Sequence, residues 1–168
     1  IVSYRGNTDA YARRMQVLVD GRSIYLPFKG EVDWVELQLD VGDIERIEVI
    51  RGPSAASHGS NSVQGVINMF TRRASDAPKA QISARQGDGG ISDVSARLGG
   101  MGESWDYRLT LASRSDNGFD PKPFALTVPL NDDSRTQLIN AQISYRPTGS
   151  DTLDVRLGYS DTLRMQGD

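Results

Sequence analysis

From Lys79 onward the side chains change character at every second residue, and that period constrains the chain more than anything else in it. Ala80, Ile82 and Ala84 alternate with Gln81, Ser83 and Arg85, and Val94, Ala96 and Leu98 with Ser95, Arg97 and Gly99. Trp105, Tyr107, Leu109 and Leu111 alternate with Asp106, Arg108, Thr110 and Ala112. Ile139, Ala141, Ile143 and Tyr145 are set against Asn140, Gln142, Ser144 and Arg146, and Leu153, Val155, Leu157 and Tyr159 against Asp154, Arg156, Gly158 and Ser160. A strand sends successive side chains to opposite faces, so these segments predict an antiparallel sheet with one apolar and one polar face.

The connections narrow the choice. Gly87–Ser92 is a modest loop, Gly100–Ser104 a tight turn, Asn117–Arg135 a long loop and Pro147–Asp151 tight again. Short and long connections alternate in this way between the two ends of an outer-membrane β-barrel. Trp105, Tyr107 and Tyr145 sit beside the two tight turns, where they form one rim of amphipathic rings suited to a membrane interface. A soluble β-sandwich also alternates, so a soluble extracellular binding or adhesion module remains the alternative. With 38% hydrophobic residues the chain is not strongly apolar overall, which a barrel permits because only half of each strand faces lipid. No apolar run approaches the roughly 20 residues of a membrane helix. A net charge of −3 argues against a nucleic-acid partner, and the lack of cysteine excludes disulfides and sulfur metal sites.

The first seventy-odd residues have another texture. Val17-Leu18-Val19 and Ser23-Ile24-Tyr25 flank Asp20-Gly21, a pair that supplies the positive φ angles of a two-residue hairpin turn. Leu26–Val41 is expected to be loop and short helix, with Asp43 capping a helical turn through Glu45-Arg46. Ile47–Ile50 reads as a strand stopped by Gly52-Pro53, Ser54–Ser57 as one helical turn before Gly59, and Val66–Thr71 as a last strand. Glu45, Arg46 and Glu48 are read as local charge pairs. His58, the single histidine, has no companion ligands and is read as structural.

Val17-Leu18-Val19-Asp20-Gly21-Arg22, then Asp43 to Pro53, then Gly59 and Gly65-Val66-Ile67-Asn68-Met69-Phe70-Thr71 resemble, in order and spacing, the second half of the plug of TonB-dependent outer-membrane receptors. The resemblance covers nearly the whole chain. It implies an α+β plug module, in part, over 1–74, and about five opening antiparallel strands of a transmembrane β-barrel over 78–168. It implies a fragment of a plugged barrel of about 22 strands. The implied activity is uptake of a scarce nutrient, an iron-siderophore or similar metal chelate, across the outer membrane of a Gram-negative bacterium. The implied partners are outer-membrane lipid, the nutrient, and the energy-transducing TonB protein, reached through a segment outside this sequence.

Residue by residue, Tyr4-Arg5-Gly6 and Arg51-Gly52-Pro53 resemble the family's two arginine phrases, which implies that Arg5 and Arg51 latch plug to wall through barrel glutamates. Topology in the family puts the loops Asn7–Ala12 and Leu26–Glu31 at the outward apex. Asn7, Asp9, Tyr11, Tyr25, Phe28 and Lys29 are therefore the ligand-facing candidates, mixing aromatic planes with hydrogen-bonding groups. No phosphate loop, nucleophile elbow or metal-spaced histidine set is present, so no catalytic residue, cofactor or metal is expected. The chain starts at Ile1 without a signal-like segment, and five strands cannot close, so it is expected to be a stretch of something longer.

Overall fold

The computed structural model describes residues 2–4, 7–9, 14–26, 28, 30, 32–34, 37–118 and 132–164. Two compact units emerge: Ile1–Trp34 with Val41–Arg72, and Val35–Asp40 with Arg73–Asp168.

In the first unit β1 (Val2–Tyr4) and β2 (Asn7–Asp9) pair as a small antiparallel ribbon. β3 (Met15–Val19), β4 (Arg22–Ser23), β5 (Ile44–Arg51) and β6 (Gly65–Thr71) form a mixed sheet in the order β4-β3-β6-β5, with β3 and β6 parallel. The hairpin forms where the sequence predicts it. Asp20 and Gly21 take φ of 49° and 78°, the two positive angles of a type I′ turn. That turn is also tied down. The Asp20 carboxylate accepts both the amide and the hydroxyl of Thr71, each at 2.8 Å, and Gly21 N–H reaches the Asn68 side chain. Val17 and Val66 are fully buried, with Met15, Leu18 and Met69 nearly so, giving this sheet an ordinary apolar core.

Two local expectations need correction. Asp43 does not open a helical turn: Val41–Asp43 is itself a short 3-10 turn, and Glu45 and Arg46 lie in β5. The β-branched run Ile44, Ile47, Val49, Ile50 favours extended backbone. Ladder pairing with β6, from Ile44 opposite Thr71 to Arg51 opposite Gly65, then carries the strand three residues further back than its apolar core suggests. Among the described residues of 26–40 there is no helix. The later helical turn does form, as α1 (Ala55–His58), closed by Gly59 N–H on the Ala55 carbonyl. Gly65 has a steric role: a Cβ there would run into the Ile50 carbonyl of the neighbouring strand.

The second unit is a five-stranded antiparallel meander: β7 (Ala80–Gln86), β8 (Ser92–Met101), β9 (Trp105–Asp116), β10 (Ser134–Tyr145) and β11 (Leu153–Arg164). Each strand pairs with the next, and the registers put the expected sets on common faces. Leu98, Leu109, Ala141 and Leu157 are cross-strand neighbours, as are Arg97, Thr110, Asn140 and Gly158 on the other face. A 3-10 turn at Ala74–Asp76 packs against β8 and β9, and Gln38 reaches the same sheet, where a Cβ on Gly158 would strike it.

Candidate functional site

The sheet of the second unit is inverted relative to a water-soluble one. Its buried side chains are mostly polar: Arg97, Asp106, Arg108, Thr110, Gln142 and Ser144, joined by Leu138. Its opposite face exposes Ile82, Leu98, Leu111, Ile143, Leu157 and Tyr159. Water cannot be the solvent for that face, because apolar area left wet costs about 25 cal/mol per Å². The face also has ends. Trp105, Tyr145 and Leu153 lie in line across β9, β10 and β11, and Trp105 stacks on Tyr107 with ring centroids 5.5 Å apart. At the other end Leu111, Ile139 and Tyr159 align; the next outward row is Ser113, Gln137 and Asp161 on β9 to β11, with exposed Val94 beside Ser113 on β8 and exposed Leu163 one row further on β11. From Trp105 to Leu111 the strand rises about 20 Å, of the order of the 25 Å apolar band of outer-membrane barrels. Gly100 lies across from Tyr107, and a side chain there would collide with the ring, so the small residue lets the aromatic lie along the wall.

The polar face is organised by charge. Asp40, itself buried, offers one carboxylate oxygen to Arg97 of β8 and the other to Arg114 of β9, the latter at 2.8 Å. Asn140 of β10 donates to the Gln38 carbonyl at 3.0 Å, so the 37–40 segment is held to three adjacent strands. Arg108 reaches the Asn140 side-chain oxygen at 3.4 Å. At the tight-turn end Arg146 donates to buried Asp106 at 2.7 Å, and that hydrogen bond, with the carboxylate's charge, raises the Arg146 pKa. At the loop end a cavity of about 370 Å³ is lined by Asp88, Asp93, Arg114, Asp116, Ser134 and Thr136, among others. Asp116 is engaged there by Ser134 and by Gly118 N–H.

The residues expected to carry function are distributed unevenly. Tyr25 and Phe28 share one loop of the first unit. The Tyr25 hydroxyl donates to the Gly30 carbonyl, and Gly30 N–H closes on Leu26 O at 2.8 Å, which leaves Phe28 at the turn with 82% of its surface exposed. Asn7 and Asp9 fall in β2, opposite Tyr4 and Val2; Arg5, Tyr11 and Lys29 lie outside the described residues. Arg51 ends β5 opposite Gly65, exposed, with no carboxylate partner among the described residues. Arg46 sits 2.9 Å from Glu48, 3.6 Å from Glu45 and 3.9 Å above the Phe70 ring, the local charge group expected of these residues. The Glu48 hydrogen bond raises its pKa. The His58 ring meets the Ser57 hydroxyl at 3.0 Å, in keeping with a structural role.

Sequence reasoning missed Asp40. Its partners lie 57 and 74 residues away, beyond any local pattern. One signal was available: Arg97, Arg108 and Arg114 fall on one strand face, and a buried arginine requires a carboxylate.

Comparison with known proteins agrees with this geometry. Residues 1–66 match the TonB-dependent receptor plug domain. The vitamin B12 transporter BtuB of Vibrio cholerae is 34% identical over 108 residues, covering 64% of this chain and 17% of that protein. A ferric enterobactin receptor of Pseudomonas aeruginosa is 28% identical over 151 residues, covering 79% of this chain and 20% of that protein. The chain thus spans a small part of the relatives it matches. Among solved structures, the siderophore receptor PirA of Acinetobacter baumannii superposes with a TM-score of 0.71 at 21% identity, over 92% of this chain and 25% of that one. An α+β plug module followed by antiparallel strands of a transmembrane β-barrel is the fold, and in both sequence and fold the chain is similar to the TonB-dependent receptors.

Proposed function

We propose that these residues are the plug and opening wall strands of an outer-membrane receptor that takes up a scarce nutrient, an iron-siderophore or similar metal chelate, in a Gram-negative bacterium. The inverted sheet carries this reading: polar side chains are buried, and large apolar ones such as Leu98, Leu111, Ile143 and Leu157 face outward. A soluble binding module would present the reverse, so the alternative is not favoured. The relatives' names, vitamin B12 transporter and ferric enterobactin receptor, support nutrient uptake over catalysis and point to metal-bearing cargo. In this reading 1–74 serves as part of the plug and 78–168 as about five strands of wall. Asn7, Asp9, Tyr11, Tyr25, Phe28 and Lys29 face the ligand, and Arg5 and Arg51 latch the plug to carboxylates of later strands. Energy comes from TonB.

Two experiments test the reading. Nitroxide labels at Ile143 and Leu157 of the membrane-embedded receptor report lipid, while labels at Gln142 and Arg156 report the aqueous lumen; a mixed pattern defeats the wall assignment. Cells dependent on the full-length receptor take up radio-iron presented as a ferric siderophore, and a protonophore abolishes uptake. Energy-independent uptake, or none with any metal chelate, defeats the transport assignment.

A further inference from the structure

Asp40 is buried and meets two arginines from adjacent strands. We propose that it is a latch of opposite polarity to the arginine latches expected from the family: a carboxylate on a strap, residues 37–40, gripped by Arg97 and Arg114 on the inner face of the wall. In sequence the strap lies between Trp34 and Val41, both of the first unit, yet it belongs to the second.

Three observations support a latch over a casual ion pair. The carboxylate is shared between adjacent strands, one oxygen each, so only one register of the strap satisfies both arginines. A one-residue slip would bring buried Leu39 or exposed Val41 against the guanidinium groups. Asn140 grips the Gln38 carbonyl, and Gly158 leaves the room that the Gln38 side chain occupies, so the seat is shaped as well as charged. The two arms also differ. The Arg97 side chain is 7% exposed and the Arg114 side chain 37%, and Arg114 lines the loop-end cavity. Salt therefore weakens the Arg114 arm while the Arg97 arm persists. Removing Asp40 takes away the carboxylate that Arg97 and Arg114 share, and leaves the buried Arg97 guanidinium facing the like charges of Arg108 and Arg114. For its meaning in the cell, release of a strap during transport, the inference rests on the receptor reading; the contact itself does not.

The test uses the 168-residue chain in detergent micelles. It has no cysteine, so Leu37→Cys takes a single nitroxide that reports whether the strap is seated. Asp40→Asn is expected to shift the seated-to-released ratio on the order of 100-fold toward release. Asp40→Arg releases the strap too, and adding Arg97→Asp with Arg114→Asp reseats it, which a merely structural aspartate would not allow. An unchanged spectrum in Asp40→Asn, or no reseating in the charge-exchanged variant, overturns the latch. Spectroscopic coupling with no energy-dependent uptake by the full-length receptor would overturn the receptor reading and leave the latch standing.

Discussion

The two sheets of this molecule bury opposite kinds of side chain. The sheet of β3 to β6 buries Val17, Val66 and Met69, as a protein in water does. The sheet of β7 to β11 buries Arg97, Arg108 and Thr110 and shows Leu111, Leu157 and Tyr159 outward. Alternation alone states that a strand has two faces; the side on which the polar residues are buried states what lies beyond each face. Here the first sheet carries its solvent assumption in its core, and the second carries it on its surface.

The largest expected effect breaks the comparison outright. In plain buffer the chain should associate through 79–164 or abandon its strand arrangement, because its apolar face is exposed and β7 and β11 are the edge strands of the sheet among the described residues. Sedimentation showing a monodisperse, cooperatively unfolding monomer would mean that the face is not built for lipid. Next, Met69→Ala should cost about 2–5 kcal/mol in micelles, since it opens a hole in an ordinary core. Leu157→Arg, in the middle of the outward band, should cost about 2–4 kcal/mol in a bilayer, read from urea titrations of refolded protein. If Leu157→Arg is silent and Met69→Ala is not, the outward face is merely surface. A smaller loss, about 1.5–3 kcal/mol, is expected for Asp20→Ala, which frees the hairpin tip from Thr71. Glu48→Gln sits at the bottom of the scale: its pair with Arg46 is solvent-exposed, so Tm should not move beyond the noise.

What could be read in advance follows the range of each interaction. Asp20-Gly21 announces its turn because the requirement for positive φ is satisfied within two residues. The faces of β8 to β11 were legible because a period of two survives any detail of packing. Asp43 misled because a capping aspartate and an aspartate ahead of a strand look alike until the partner strand is known; Thr71 across from Ile44 decided it. Asp40 was illegible for a stronger reason. Nothing near it in sequence says that two arginines on distant strands will share its carboxylate. In the candidate ligand loop, the use of the Tyr25 hydroxyl inside its own turn was not foreseeable from composition.

The parallel pairing of β3 with β6 has a consequence for how the chain comes together. Residues 20–64 separate the two strands, so the central ladder of the first unit waits for a long loop to close. β9 follows β8 after Gly102–Ser104, and β11 follows β10 after 146–152, so their ladders zip from nearby turns. The hairpins of the wall therefore have the faster route to register, although they lie later in the chain. The unit that is synthesised first is the one whose centre is kinetically last.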